Sequence, residues 1–166
     1  MKIKKTIIIA EAGVNHDGKL KKAYKLAKLA KKNKADFVKF QAFDPNLLCT
    51  KKAKKANYQL KNIKKERQLE MLQRLALTKQ NVLDLERYCK KIKIGLIFSV
   101  FDVESYNIIS KFKHKYIKLP SGEINNYPLL KAFTKNNSKI IFSTGLSNLN
   151  EIKYCYKVLR MKKKVS

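Results

Sequence analysis

The chain has 166 residues, 45% of them apolar, which is one domain's worth of sequence with enough apolar side chain for a packed core. No apolar run approaches the roughly 20 residues of a membrane-spanning helix, and no membrane partner is expected. A net charge of +27 invites a nucleic-acid function. The cations argue against it: arginine occurs only at Arg67, Arg74, Arg87 and Arg160, whereas specific recognition leans on arginine's planar fork. The lysines are spread along the whole chain, so non-specific binding to polyanions is expected and a specific nucleic-acid partner is not.

Met1 to Lys5 passes straight into a strand-like run with no small-residue cleavage site, so no signal peptide is expected. Cys49, Cys89 and Cys155 are odd in number, widely spaced and without a CxxC, which predicts reduced thiols and a cytoplasmic protein.

The first strand is predicted at Thr6–Ala10, β-branched and apolar on both faces as a buried parallel strand is. A polar loop with two glycines, Glu11 to Gly18, leads to a helix over Lys19–Asn33. There Leu20, Ala23, Tyr24, Ala27 and Ala30 share one face and the lysines the other. A second strand at Ala35–Phe40 completes a βαβ unit. From Ala42 to Lys65 periodicity weakens; Asp44-Pro45-Asn46 marks a turn, and the stretch reads as a long loop with short helical pieces. Leu69, Leu72 and Leu75 make a short helix. Thr78 caps the next, with Val82, Leu85 and Cys89 on one face as far as Lys91.

Gly95 turns the chain into a strand at Leu96–Val100, and Asp102 caps a helix bearing Val103, Tyr106, Ile109 and Phe112. A strand at Lys115–Leu119 follows, then a helix started by Asn125-Asn126-Tyr127-Pro128, with Pro128 near its first position. Lys139–Ser143 is the fifth strand, and Ser147 or Asn148 caps a last helix carrying Leu149, Ile152, Tyr156 and Leu159. His114, in a basic turn, is expected to be exposed.

Strict strand–helix alternation allows an open doubly wound sheet or a barrel. No GxGxxG follows the first strand and no GxxxxGK occurs anywhere. The polar residues instead fall just after strands, one set per strand: Glu11; Lys39 and Gln41; Lys118, Ser121 and Glu123. That is where a (β/α)8 barrel keeps its chemistry, so a partial barrel of about five β/α units is expected, since a whole one takes about 250 residues.

Five segments now resemble one family. Ile9-Ala10-Glu11-Ala12-Gly13-Val14-Asn15-His16-Asp17-Gly18 is similar to the opening of the sialic acid synthases, IAE-G-NH-G. Asp36 to Phe43 resembles their A-D-x-V-K-F-Q-x-F segment, and Ser99 to Ser105 their STPFD-ES. Lys118 to Asn126 resembles K-x-x-SGE-x-N, and Phe142 to Leu146 resembles L-S-T-G-M. The matches are collinear and cover nearly the whole chain.

The resemblance implies an enzyme that forms a C–C bond between phosphoenolpyruvate and N-acetylmannosamine, or a related 2-acetamido sugar. Such enzymes release phosphate, use a divalent metal (Mn or Mg) on a TIM barrel, and form homodimers in which a small antifreeze-like domain after the barrel reaches into the partner subunit. By resemblance, Lys39, Ser99, Lys118, Ser121 and Ser143 would hold phosphoenolpyruvate, while Glu11, Gln41 and Glu123 would face the sugar. Glu11 and Glu123 are the catalytic candidates, Glu123 orienting or deprotonating a reacting hydroxyl or water.

Ser99 keeps the hydroxyl of the family's threonine; Val100 and Leu146 replace a proline and a methionine in packing positions. The family's two metal-binding histidines, the rest of the barrel and the antifreeze-like domain correspond to sequence beyond Ser166. His16 is expected to make a structural hydrogen bond and is no substitute ligand. The chain is therefore expected to be the N-terminal part of a synthase barrel domain, without metal ligands, weakly stable and inactive alone. Two other readings remain: a Schiff-base aldolase using Lys39 or Lys118, or a non-catalytic basic module that binds a companion chain.

Overall fold

The computed structural model describes residues 6–50, 66–135, 137–145 and 147–160. The basic run 51–55, the rest of the expected long loop to residue 65, Leu146 of the glycine-bearing turn and the basic tail 161–166 lie outside the described residues. In chain order the elements are β1 (Ile9–Gly13), α1 (Leu20–Lys32), β2 (Phe37–Ala42), α2 (Pro45–Leu48), α3 (Gln68–Leu75) and α4 (Lys79–Lys91). There follow β3 (Gly95–Val100), α5 (Val103–Ile109), β4 (Tyr116–Leu119), α6 (Tyr127–Phe133), β5 (Lys139–Phe142) and α7 (Leu149–Arg160).

The five strands form one sheet in the order β1-β2-β3-β4-β5, every neighbouring pair parallel. A doubly wound sheet reverses its strand order at a switch point; this one never does. Sequential order is that of a barrel wall, and the described residues form an arc of five consecutive β/α units.

Strand alternation gives the arc two different faces. Val38, Phe40, Ala42, Leu96, Phe98, Val100, Ile117 and Leu119 point outward into a single buried cluster. Residues from α1, α4, α5, α6 and α7 belong to the same cluster, so all these helices cover one face. Fully burying a side chain such as Phe40 or Phe98 contributes about 1.5–3 kcal/mol. The helices follow from local chemistry as well. Thr78 Oγ1 accepts the Asn81 N–H at 3.1 Å to start α4, and Lys90 and Lys91 sit in its last turn, where the helix dipole favours cations. Asn126 Oδ1 accepts the Leu129 N–H at 3.2 Å to start α6, with Pro128 in the first turn.

The opposite face holds the inward positions. At its lower end the Phe37 ring lies across Gly95 and meets Tyr116 edge-on, with centroids 5.2 Å apart. A Cβ at Gly95 would fall 2.2 Å from Phe37 Cδ1, so only glycine lets that ring cross β3.

Three expectations need correcting. The first strand runs over Ile9–Gly13 and not Thr6–Ala10. The Asp36 and Phe37 N–H groups both bond the Ile8 carbonyl, so the ladder with β2 opens only at the Ile9–Phe37 pair. Ile7 and Ile8 keep strand-like composition without a strand partner and are 43% and 53% exposed. The second strand is likewise shifted toward its C-terminus, to Phe37–Ala42, which brings both Lys39 and Gln41 into the ladder. The helix after Asp102 stops at Ile109, short of Phe112, whose N–H closes a turn onto the Ile109 carbonyl.

His114 is also corrected: its side chain is 5% exposed. It wedges edge-on between Phe98 and Phe112, at 6.0 and 5.9 Å, with Nε2 3.8 Å from Glu86 Oε2. An apolar slot beside the sheet outcompetes solvent for the ring.

Candidate active site

The register aligns the sequence candidates on the inward face. Glu11 lies opposite Lys39, Gln41 opposite Ser99, and Ser99 opposite Lys118. Partners in a parallel ladder share a face, as do residues two apart in one strand. Glu11, Lys39, Gln41, Ser99 and Lys118 therefore all point inward, from four strands, near the strands' C-terminal ends.

Lys39 is the hub. Its ammonium pairs with the Glu11 carboxylate and donates to Ser99 Oγ at 3.2 Å. Lys39 is only 16% exposed, whereas Glu11 is 56% exposed, so a fixed cation meets a carboxylate that reaches into solvent. Lys118 Nζ donates to the Leu119 carbonyl at 2.7 Å, the same oxygen that accepts the Ser143 N–H at 3.2 Å. Burial pushes the Lys118 amine down to about 8, helped by the charge of Lys39 and opposed by that of Glu11. An anion placed beside two lysines close enough to influence each other favours their charged forms.

The loops after β4 and β5 bring the remaining hydroxyls. Ser121 and Glu123 lie on a single 3-10 turn after β4. Ser121 Oγ lies close to Gly145: a Cβ there would sit 3.7 Å from it, so the loops after β4 and β5 touch. Ser143 follows β5 directly. Glu123 takes another partner: its Oε2 accepts from Asn126 Nδ2 at 2.7 Å, which fastens it to the start of α6. The described contacts thus join Glu11, Lys39 and Ser99 directly, Lys118 through charge, and Ser121 and Ser143 through neighbouring loops. Glu123 borders that group, oriented by Asn126.

Gly13 shapes the β1 side. The register shifts between Glu11 and Gly13, a bulge, and Gly13 has φ +52°, a left-handed conformation that favours glycine. A Cβ there would lie 3.5 Å from Glu11 Oε1 and 3.9 Å from Gln41 Nε2. The missing side chain leaves a floor between an acid and an amide.

One positioning residue was legible only as a helix cap. Asp102 is buried, and its Oδ1 accepts the Ser105 N–H at 2.7 Å, as a cap should. Its Oδ2 accepts the Ser105 hydroxyl at 2.9 Å and, from the neighbouring loop, the Asp44 N–H at 2.8 Å. Next to it the Phe101 N–H bonds the Ala42 carbonyl at 3.3 Å, and the Phe43 and Phe101 rings meet edge-on at 6.1 Å. The loops after β2 and β3 are buttoned together just above Gln41 and Ser99. On the helical side of that junction lies a cavity of about 330 Å³, whose lining includes Phe43, Pro45, Val82, Ser105 and Ile109. The place of Asp102 just before the helical pattern of Val103, Tyr106 and Ile109 suggested the cap; nothing local signalled the second loop.

The described residues do not compose a divalent metal site. No group of three or more histidine, cysteine, aspartate or glutamate side chains among them is placed to hold an ion. His16 is buried against Phe40, and its Nδ1 accepts the Gly18 N–H at 3.0 Å, so the ring stiffens its own loop. Cys49, Cys89 and Cys155 are free thiols. No helix among the described residues is long and apolar enough to cross a membrane.

Known proteins resemble this chain in sequence and fold. The chain is 48% identical over 158 residues to the N,N'-diacetyllegionaminic acid synthase of Campylobacter jejuni, across 95% of this chain and 47% of that enzyme. It is 38% identical to the enzyme of the same name from Legionella pneumophila, over 88% of this chain and 41% of the relative. It spans about half the length of these curated relatives, as their 47% and 41% coverage states. Among solved structures, the N-acetylneuraminic acid (sialic acid) synthetase of Leptospira borgpetersenii superposes with a TM-score of 0.81 at 26% identity. That match covers 95% of this chain and 52% of the other. The NeuB family pattern matches residues 26–166, and the chain belongs to the NeuB family.

Proposed function

We propose that the chain carries the phosphoenolpyruvate-facing part of a nonulosonic acid synthase and represents one portion of its barrel domain. The observation that carries this reading is the shared inward face. Two lysines, a serine hydroxyl, an amide and a carboxylate reach it from four successive strands, with two further hydroxyls on the adjoining loops. Phosphoenolpyruvate brings a phosphate and a carboxylate. It needs two fixed cations and hydroxyl donors, which Lys39, Lys118, Ser99, Ser121 and Ser143 supply in this reading.

The partner substrate is N-acetylmannosamine or a related 2-acetamido sugar in its open aldehyde form, held by Glu11, Gln41 and Glu123. The 48% identity to a diacetyllegionaminic acid synthase favours a sugar with two acetamido groups. C3 of the enol phosphate attacks the aldehyde carbon, the aldehyde oxygen takes up a proton, water adds at C2, and phosphate leaves with C–O cleavage. Glu123, steadied by Asn126, orients the reacting hydroxyl or water. The ligands of the family's divalent ion are not among the described residues, and in this reading the chain does not turn over by itself.

Calorimetric titration with phosphoenolpyruvate tests the reading. Binding is expected for the wild-type chain and is expected to disappear in Lys39→Met and in Lys118→Met. Release of nonulosonic acid from phosphoenolpyruvate and acetamido sugar by the purified chain with manganese would overturn the proposed inactivity. One observation favours an aldolase instead: an amine brought to about 8 is a competent Schiff-base nucleophile. Borohydride trapping of a carbonyl substrate on Lys118, with no affinity for phosphoenolpyruvate, would select that chemistry.

A further inference from the structure

Between them, Lys39 and Lys118 offer two positive charges to the inward face, and Glu11 already neutralises one. The ion pair is asymmetric. Lys39 is held in mid-strand and tied to Ser99 Oγ, while Glu11 sits at a bulge with its carboxylate more than half exposed. Its Oε1 faces the bare Gly13 floor, and across that floor lies the Gln41 amide. The carboxylate therefore has somewhere to go and the lysine does not.

We propose that Glu11 is an internal counter-ion that occupies the anion position on Lys39 and that the incoming ligand must displace it. The displaced carboxylate swings over Gly13 toward Gln41. This inference rests on the phosphoenolpyruvate reading above and deepens it. It makes Glu11 a specificity determinant. A ligand with one anionic group only exchanges one anion for another on Lys39. A ligand bearing two, such as a phosphate and a carboxylate on a short frame, engages Lys39 and Lys118 together and makes good the lost pair. It also sets an order. The anion comes first, and its arrival delivers a carboxylate beside an amide, the pair of groups suited to sugar hydroxyls.

The test is titration of the full chain with phosphoenolpyruvate and with inorganic phosphate, in the wild type, Glu11→Gln, Glu11→Ala and Lys39→Met. Removing a half-exposed ion-pair competitor is expected to tighten phosphoenolpyruvate binding about fivefold in both Glu11 variants. Phosphate is expected to gain as much or more, so the preference of the wild type for the two-ended ligand does not widen. Lys39→Met is expected to lose both ligands. In the wild type, the Glu11 carboxyl ¹³C resonance is expected to move when phosphoenolpyruvate is added and to stay put with an uncharged acetamido sugar alone. Unchanged or weaker binding in the Glu11 variants, with Lys39→Met still inactive in binding, overturns the counter-ion and leaves the phosphoenolpyruvate reading standing. So does a carboxyl resonance that does not move in a chain that binds. Absence of binding in every form overturns both.

Discussion

In the proposed site, Lys118 gives up stability to place an amine on the inward face. Its amine is lowered to about 8 from an ordinary value near 10.5, first by burial and then by Lys39. A group lowered in this way contributes stability above its unfolded value and loses it as pH falls through about 8. Charged Lys118 is thus a cost at neutral pH, and Lys118→Met is expected to melt higher than wild type at pH 7 while failing to bind phosphoenolpyruvate. For the wild type the ligand needs the charged amine, so calorimetric affinity is expected to decline as pH rises from about 8. A flat profile would remove Lys118 from the anion site.

Glu86 and His114 face each other at the other end of the strands, with Glu86 Oε2 and His114 Nε2 buried 3.8 Å apart and neither atom in a hydrogen bond. Burial raises Glu86, opposed by Lys90, and lowers His114, opposed by a hydrogen bond to the Leu96 backbone. A raised carboxyl contributes stability below its unfolded value near 4.5 and loses it as pH climbs through the folded one. Glu86→Gln is accordingly expected to melt higher than wild type at pH 7 and no higher at pH 4.

Among the elements, the Asp102 junction and the Gly95 crossing matter most. Asp102→Ala strips acceptors from the Asp44 and Ser105 N–H groups and is expected to cost about 1–3 kcal/mol in urea unfolding. Asp102→Asn, which keeps one acceptor for the cap, should recover part of that loss. Gly95→Ala drives a methyl into the Phe37 ring and the Asp36 carbonyl, the latter at 2.9 Å, at a cost of roughly 1–3 kcal/mol. Shrinking the ring in a Phe37→Leu, Gly95→Ala double variant should return much of it, and a purely additive result would deny the contact.

The same elements show what was legible in the sequence. Helical periodicity placed α1 and α4 almost to the residue, because Ala23, Ala27 and Ala30, or Val82, Leu85 and Cys89, can share only one face of a helix. Strand ends were harder to place. Ile7 and Ile8 have every local mark of a strand, but pairing is decided by where β2 begins, a fact written some 28 residues away at Asp36. The inward candidates were legible because charged side chains in apolar strands stand out. Asp102's hold on the Asp44 loop and the burial of His114 were not, since both depend on partners brought by the fold.

For the whole molecule, the charge of +27 and the proposed anion site predict different behaviour. Among the described residues several acids are already paired, as in Asp17–Lys22, Glu66–Arg74 and Asp84–Arg87, leaving a surface of unpaired lysines. Heparin or DNA binding to such a surface releases counter-ions and should collapse between low and moderate salt. Phosphoenolpyruvate binding to the half-buried Lys39 and Lys118 should weaken far less over the same range, as a paired salt titration would show.

The strictly sequential strand order has a consequence in time as well as in space. Among the described strands each pairs, as it is made, with the one made just before it. A chain leaving the ribosome can lay down one β/α unit on the last, with the junction of β2 and β3 waiting longest, since its Lys39–Ser99 contact spans 60 residues. The carboxylate of Glu11 meets Lys39 when β2 docks, Ser99 joins with β3, and Lys118 with β4. The charges of the proposed anion site are therefore brought together in the order of translation.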